Sequence, residues 1–426
     1  MDYKLHKLSS GLRLMTIPMP SLESATVTVW VKTGSRNEED RVGGISHFLE
    51  HIVFKGSKKR PTARDISQAV DAMGGEFNAA TSKEWTNFYI KSSKENLEKA
   101  VDILSDMVLN PLMKEDEIER EKGTIVQEIR MYEDTPIMHI GDVFEELIFS
   151  GNPLGRDTAG SEKTVRSITR GDFEEYRKTF YHPDNMLVTV AGGVTEKEAI
   201  KLAEKYFAFS SLKSSSFKGL TFKGGQVGPK FKLQTKESEQ AHLIMGFMSE
   251  GRNYEGRFAQ SLLSAILGGG MSSRMFIEVR ERRGLAYSVR TSIERYQEVG
   301  YMGTYAGVNL KKADEAIKVM LDQCYGMVSN PKYEVSAPEL EKAKGLLKGH
   351  LALALEDTKD VAEFFGSQEL FNQEVLKPEE IFDKIDKVTL DDISLEAQKL
   401  FTPERLNLTI IGPFKDKNKF VQLIGK

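Results

Sequence analysis

The stretch Phe180-Tyr181-His182-Pro183-Asp184-Asn185-Met186-Leu187-Val188-Thr189-Val190-Ala191-Gly192 is written twice in this chain. Its echo is Leu400-Phe401-Thr402-Pro403-Glu404-Arg405-Leu406-Asn407-Leu408-Thr409-Ile410-Ile411-Gly412, with the Pro, Thr and Gly each displaced by 220 positions. Two further pairs repeat at nearly the same offset. Glu133-Asp134-Thr135 returns as Glu356-Asp357-Thr358, at 223, and Lys122-Gly123 as Lys344-Gly345, at 222. One long period in 426 residues reads as two copies of a single ancestral fold. Between the copies, Ser210 to Pro229 is rich in Ser, Gly and Lys and weak in periodicity, which is the composition of a linker. The expected organisation is a first domain over residues 1–215, a linker over 216–230 and a second domain over 231–426. Each half opens on strand-like sequence, Ala25-Thr26-Val27-Thr28-Val29-Trp30-Val31 and His242-Leu243-Ile244-Met245-Gly246-Phe247, and runs on through helices and a hairpin. Hairpin-linked strands mixed with helices indicate an α+β fold.

Working back from the repeat, the first half holds His47-Phe48-Leu49-Glu50-His51. Ile45, Phe48, Leu49, Ile52 and Val53 recur at i, i+3, i+4, i+7 and i+8, the stripe of an amphipathic helix with one buried face. At about 100° per residue, His47 and His51 lie roughly 40° apart and Glu50 within about 60° of His47, all pointing away from that stripe. Zinc needs such convergence, because its nitrogen ligands sit at about 2.0–2.1 Å and a catalytic site keeps one position open. The order is the reverse of H-E-x-x-H and matches the inverzincin form of the zinc-protease motifs. A third ligand must come from elsewhere.

Glu117 to Ile129 reads as a second helix, with Ile118, Ile125, Ile129 and Tyr132 on its apolar stripe. Glu121 and Glu128 are seven residues apart, so they differ by about 20° around the axis and stand at the edge of the core. A solvated acidic face fits Glu115, Glu117 and Glu119 better, but spacing alone does not choose between the two readings for Glu121 and Glu128.

At this point the chain resembles the pitrilysin and mitochondrial processing peptidase family of zinc peptidases, as a short-chain bacterial-type member. That family carries the reversed motif and then a glutamate ligand at about the separation of Glu128, which stands 77 positions after His51. The resemblance implies His47, His51 and Glu128 as ligands of one Zn²⁺ per chain, Glu50 as general base, and Glu121 as a support for the site. Asn78-Ala79-Ala80-Thr81 looks like the family's edge strand, implying that Asn78, Ala79 and Ala80 pair with substrate main chain. Leu267 to Arg274 resembles its glycine-rich segment, and Val279 to Tyr287 its arginine/tyrosine motif. Arg280 and Tyr287 are then the pair that hydrogen-bonds the scissile region, which suits a guanidinium and a phenol aimed at a developing oxyanion. In the second half, Ser261 to Gly270 occupies the region of the zinc helix without histidines, and the counterpart of Glu128 falls at or next to Leu351. Only the first half is expected to bind metal.

The resemblance further implies two homologous α/β domains, each a mostly antiparallel sheet covered by helices. Because the chain is half the length of the family's single-chain members, it also implies a homodimer, or a heterodimer with a second gene product, that closes as a clamshell around a chamber. The function expected is a zinc endopeptidase acting on short or unfolded peptides. The alternative is a non-catalytic or partner-dependent subunit of a processing peptidase or respiratory-type complex, and a third reading is a peptide-binding module that adds a strand without cleavage.

The bulk numbers are compatible with this. At 40% hydrophobic and 29% charged the chain is ordinary for a soluble globular protein, and a net charge of −4 argues against nucleic acid or an anionic membrane as partner. One cysteine, Cys324, excludes an internal disulfide and reads as a core residue. The amino terminus runs into strand-like sequence without an apolar or arginine-rich leader, and no stretch reaches 18 apolar residues, so a cytoplasmic location is expected. His6, His139, His182, His242 and His350 have no partner at ligand spacing and read as structural or surface residues.

Overall fold

In the computed structural model of the protein, residues 1–209 and 219–425 are described. The end of the expected first domain, 210–215, and the start of the expected linker, 216–218, lie outside the described residues, and 219–229 carry neither helix nor strand.

The first sheet has six strands: β1 (Lys4–Lys7), β2 (Arg13–Pro18), β3 (Ser24–Val31), β4 (Glu76–Thr81), β5 (Thr86–Ser93) and β6 (Met186–Gly192), in the order β1-β2-β6-β3-β5-β4. The second has five: β7 (Lys230–Thr235), β8 (Gln240–Glu250), β9 (Ala286–Arg295), β10 (Val299–Asn309) and β11 (Leu406–Gly412), in the order β7-β11-β8-β10-β9. Each sheet has one parallel pair, β2 with β6 and β7 with β11, and is otherwise antiparallel. The duplicated stretch accounts for the likeness. Both copies enter through a single 3₁₀ turn, Pro183–Asn185 or Pro403–Arg405, and then form a strand whose seven residues are all buried. Such a strand, apolar on both faces and rich in β-branched side chains, is stable only at the centre of a covered sheet. The protein is thus built of two α/β units, each a mostly antiparallel sheet covered by helices.

The units do not follow the two halves of the sequence. One comprises residues 1–131, 156–220 and 353–377, and the other 132–155, 221–352 and 378–426. The helix after each Glu-Asp-Thr copy has changed sheets. In the second unit Pro136–Ile148 lies on β7, β8 and β11, with Ile140 and Val143 against Tyr305 and Ile411 and with the Phe144 ring 5.1 Å from that of Tyr301. In the first unit Thr358–Phe371 lies on β3 and β6, where Thr358 and Thr26 hydroxyls are 2.8 Å apart. A boundary near residue 220 separates the sheets along the chain. An amphipathic pattern shows that a helix has a face to bury, but not which sheet will cover it.

Candidate metal centre

The helix Ile45–Val53 is anchored by Ile45, Phe48, Leu49, Ile52 and Val53, each at most 1% exposed. At about 1.5–3 kcal/mol per buried side chain, their burial holds the helix against the sheet by about 10 kcal/mol. His47, Glu50 and His51 are left half-buried on the other face. Its first turn is fixed just as tightly. Gly44 precedes it at φ +95°, where a Cβ would meet the Ala159 carbonyl oxygen at 2.4 Å, so only glycine fits. Buried Glu38 accepts from the Gly44 and Ser46 backbone N–H groups at 2.6 and 2.8 Å, satisfying donors that a helix start leaves unpaired. Ser46 and Thr33 hydroxyls share the Tyr176 hydroxyl, at 2.6 and 2.9 Å.

Burial pushes the Glu38 carboxyl up to about 7, outweighing the hydrogen bonds from Ser46 and Gly44 and the charge of Arg156. A raised carboxyl favours the folded protein when protonated. Its contribution is complete below the ordinary value of 4.5 and is lost as pH rises through about 7. Between pH 5 and 7 the unfolding free energy should therefore fall by about 2 kcal/mol more in the native protein than in Glu38→Gln, read from denaturant melts. Parallel pH profiles would mean that Glu38 is ionised throughout.

The second helix, Glu115–Asp134, buries Ile118, Ile125, Val126 and Ile129. Glu115 and Glu119 are exposed, whereas Glu121 is 3% exposed and Glu128 half-buried. The seven-residue spacing puts both of these acids against the histidines. Glu128 reaches both rings, at 3.6 Å from His47 Nε2 and 3.4 Å from His51 Nε2, and the two Nε2 atoms are 3.3 Å apart. His51 Nδ1 donates to Glu121 at 2.9 Å, and the other Glu121 oxygen accepts from Lys55 Nζ at 2.7 Å.

The donor set fits a zinc ion. Bonds of about 2.0–2.1 Å at tetrahedral angles place ligand atoms about 3.3–3.4 Å apart; the two Nε2 atoms stand at 3.3 Å, and one Glu128 oxygen faces each ring, Oε1 at 3.6 Å from His47 and Oε2 at 3.4 Å from His51. Two ring nitrogens facing each other beside a carboxylate need a proton or a metal ion between them. Hydrogen bonds to His47 and then His51 hold the Glu128 carboxyl well below its usual range despite burial. Burial opposes charge on both His51 and Glu121, but their mutual hydrogen bond, with Glu128 and Lys55, outweighs it. His51 is pushed up to about 9 and Glu121 down. A metal must therefore displace a proton from His51. Among the described residues no other three His, Cys, Asp or Glu side chains converge in this way.

Glu50 is not one of the converging three; its Oε2 accepts from the Thr81 hydroxyl at 2.6 Å. Asn78, Ala79 and Ala80 lie on β4, which pairs with β5 on one side and closes the sheet on the other. Arg280 and Tyr287 belong to the second unit. Arg280 sits on a turn closed by the Arg282 N–H to Ile277 carbonyl bond, a wide π-type turn, and its guanidinium carbon is 5.1 Å from the Tyr287 ring centre. That ring is 76% exposed. In the glycine-rich segment, Gly268 is required by close packing, since a Cβ would meet the Thr291 backbone nitrogen at 2.2 Å. Cys324 is buried in the second core.

Sequence reasoning missed Lys55 and the side chain of Thr81. Lys55 carried a signal, standing four residues after His51. Thr81 stands two after Ala79, on the same face of its strand.

Residues 13–162 match the family model described as insulinase (peptidase family M16), and 167–347 the one described as peptidase M16 inactive domain. An uncharacterized zinc protease of Streptomyces coelicolor is 36% identical over 415 residues, 96% of this chain and 89% of that protein. The uncharacterized zinc protease YmxG of Bacillus subtilis is 33% identical over 96% of this chain and 98% of its own. Among solved structures, a protease from Helicobacter pylori superposes with a TM-score of 0.89 at 23% identity, covering 97% of this chain and 99% of that one. A chain of complex III2 from Candida albicans does so at 0.83 and 18%, covering 99% of both. These two likenesses concern the fold alone. Among the described residues no helix is long and apolar enough to cross a membrane.

Proposed function

This chain belongs to peptidase family M16, the insulinase family, and we propose that it is a zinc-dependent endopeptidase for short or unfolded peptides. His47, His51 and Glu128 would hold one zinc per chain, with Glu50 as general base. The observation that carries the reading is the convergence of the two Nε2 atoms, 3.3 Å apart, with the Glu128 carboxylate, beside a carboxylate that is not one of them. Bound there, zinc supplies Lewis acidity toward a scissile carbonyl and a water. The chain's own groups do the rest. Glu121 keeps the His51 proton on Nδ1, so that Nε2 presents its lone pair. Glu50 takes the proton of the attacking water and returns it to the leaving amine nitrogen. The open side of β4 offers main-chain groups at Asn78, Ala79 and Ala80 to an extended peptide, an arrangement that a folded substrate does not meet. Arg280 and Tyr287 serve as donors to the developing oxyanion.

The same reading takes the working form as a homodimer closing over a chamber, with the exposed Tyr287 and the half-buried Arg280 beside it presented to a second copy, and places it in the cytoplasm, where a lone cysteine stays reduced. The test is hydrolysis of a mixed pool of unstructured peptides by zinc-replete protein, read by mass spectrometry. Cleavage abolished by a chelator and restored by zinc is the expected result. No cleavage by zinc-loaded protein would shift the reading to a non-catalytic or partner-dependent subunit. A second arm mixes inactive Glu50→Gln with inactive Tyr287→Phe. Returning activity supports a site shared between copies, and none despite subunit exchange removes that part.

A further inference from the structure

Resting on Glu50 as the base, we propose that Thr81 is a positioning residue for it, and that β4 thereby sets the place of the base as well as that of the peptide. Along β4, Glu76, Asn78 and Ala80 are exposed while Phe77, Ala79 and Thr81 are half-buried. The inner row faces the metal helix and its extension: the Phe77 ring lies 5.4 Å from that of Phe54, and the Thr81 hydroxyl reaches Glu50. The backbone at Thr81 is held on two sides, by register with Thr86 on β5 and by the turn that the Ser82 N–H closes on the Trp85 carbonyl at 2.8 Å. A threonine hydroxyl has one proton to give, and here it goes to Oε2 of Glu50 at 2.6 Å. Oε1 is left for the proton of the attacking water.

A glutamate side chain has three rotatable bonds, and without a donor its carboxylate samples several positions about the helix. Fixing one oxygen from a strand that cannot move independently of the sheet confines the other to one place. If a peptide adds to the outer side of β4, its register and the position of Oε1 are then both referred to the same six residues. The side chain of Thr81 faces the helix and not the open edge. Its removal should therefore lower turnover without weakening peptide binding.

The test compares Thr81→Val and Thr81→Ser in zinc-loaded protein. Valine keeps the shape and removes the donor, and serine restores the donor. Thr81→Val is expected to lower kcat about 10–100-fold with KM within about twofold, the scale for a misplaced reacting group. Thr81→Ser should recover most of the loss, zinc content and Tm should hold, and Thr81→Val added to Glu50→Gln should cost nothing further. A crystal structure of Thr81→Val should show Glu50 displaced or spread over several rotamers. An unchanged kcat, a loss that also appears in the Glu50→Gln background, or Glu50 ordered in its original place would each overturn the proposal while leaving the peptidase reading intact. Native protein that binds zinc yet cleaves nothing would overturn both. Should Thr81→Val fail to fold, Thr81→Ala is read in the same way.

Discussion

Glu50→Gln is expected to keep one zinc per chain and to hydrolyse peptides about 10²–10⁴-fold more slowly than the native protein, the range for removing a general acid–base group. Two features separate this residue from the ligands. Its carboxylate is outside the set of donor atoms that converge, and one of its oxygens is taken by Thr81. Glutamine keeps the shape and an oxygen to accept from Thr81, but it has no basic oxygen to take a proton from water. Metal analysis and peptide kinetics on the same preparation decide the matter. Zinc lost together with activity would make Glu50 a ligand, and activity retained would remove it from the mechanism.

Glu128→Ala should be as inactive for a different reason, because the metal is lost. Structural zinc sites with four protein ligands bind with about 10–16 kcal/mol, so one ligand is worth about 3–4 kcal/mol and its removal about 10²–10³-fold in affinity. Glu121→Gln should cost less, about 10–100-fold, because Glu121 acts through the Nδ1 proton of His51 and not on the metal. Competition with a chromophoric chelator measures both. Glu128→Ala should lose more zinc affinity than Glu121→Gln. Equal affinities for Glu128→Ala and native protein would remove Glu128 from the ligand set, and a larger loss in Glu121→Gln would exchange the roles of the two acids.

Much of this is legible in the sequence alone. The 220-residue repeat marked two copies of one fold, because buried central strands such as Met186–Gly192 and Leu406–Gly412 leave a continuous apolar run in sequence. Helical spacing marked His47, Glu50 and His51 as one face, because a stripe of five apolar residues leaves no other side for them. By contrast, the same spacing arguments left Glu121 and Glu128 open between a solvated face and a site. An angle around one helix axis does not say what lies opposite it.

What the sequence by itself determined is therefore local or periodic: the duplication, the strands, the helix Ile45–Val53 and the candidate ligands upon it. The tertiary structure alone decided three things. It brought Glu128 to both Nε2 atoms and Glu121 to Nδ1, it set Thr81 on Glu50, and it sent Pro136–Ile148 and Thr358–Phe371 each to the sheet of the other half. The physical reason is common to all three. Backbone periodicity fixes directions within one element, whereas contact between elements far apart in sequence depends on which apolar faces close on one another, and that is a property of the whole packed core.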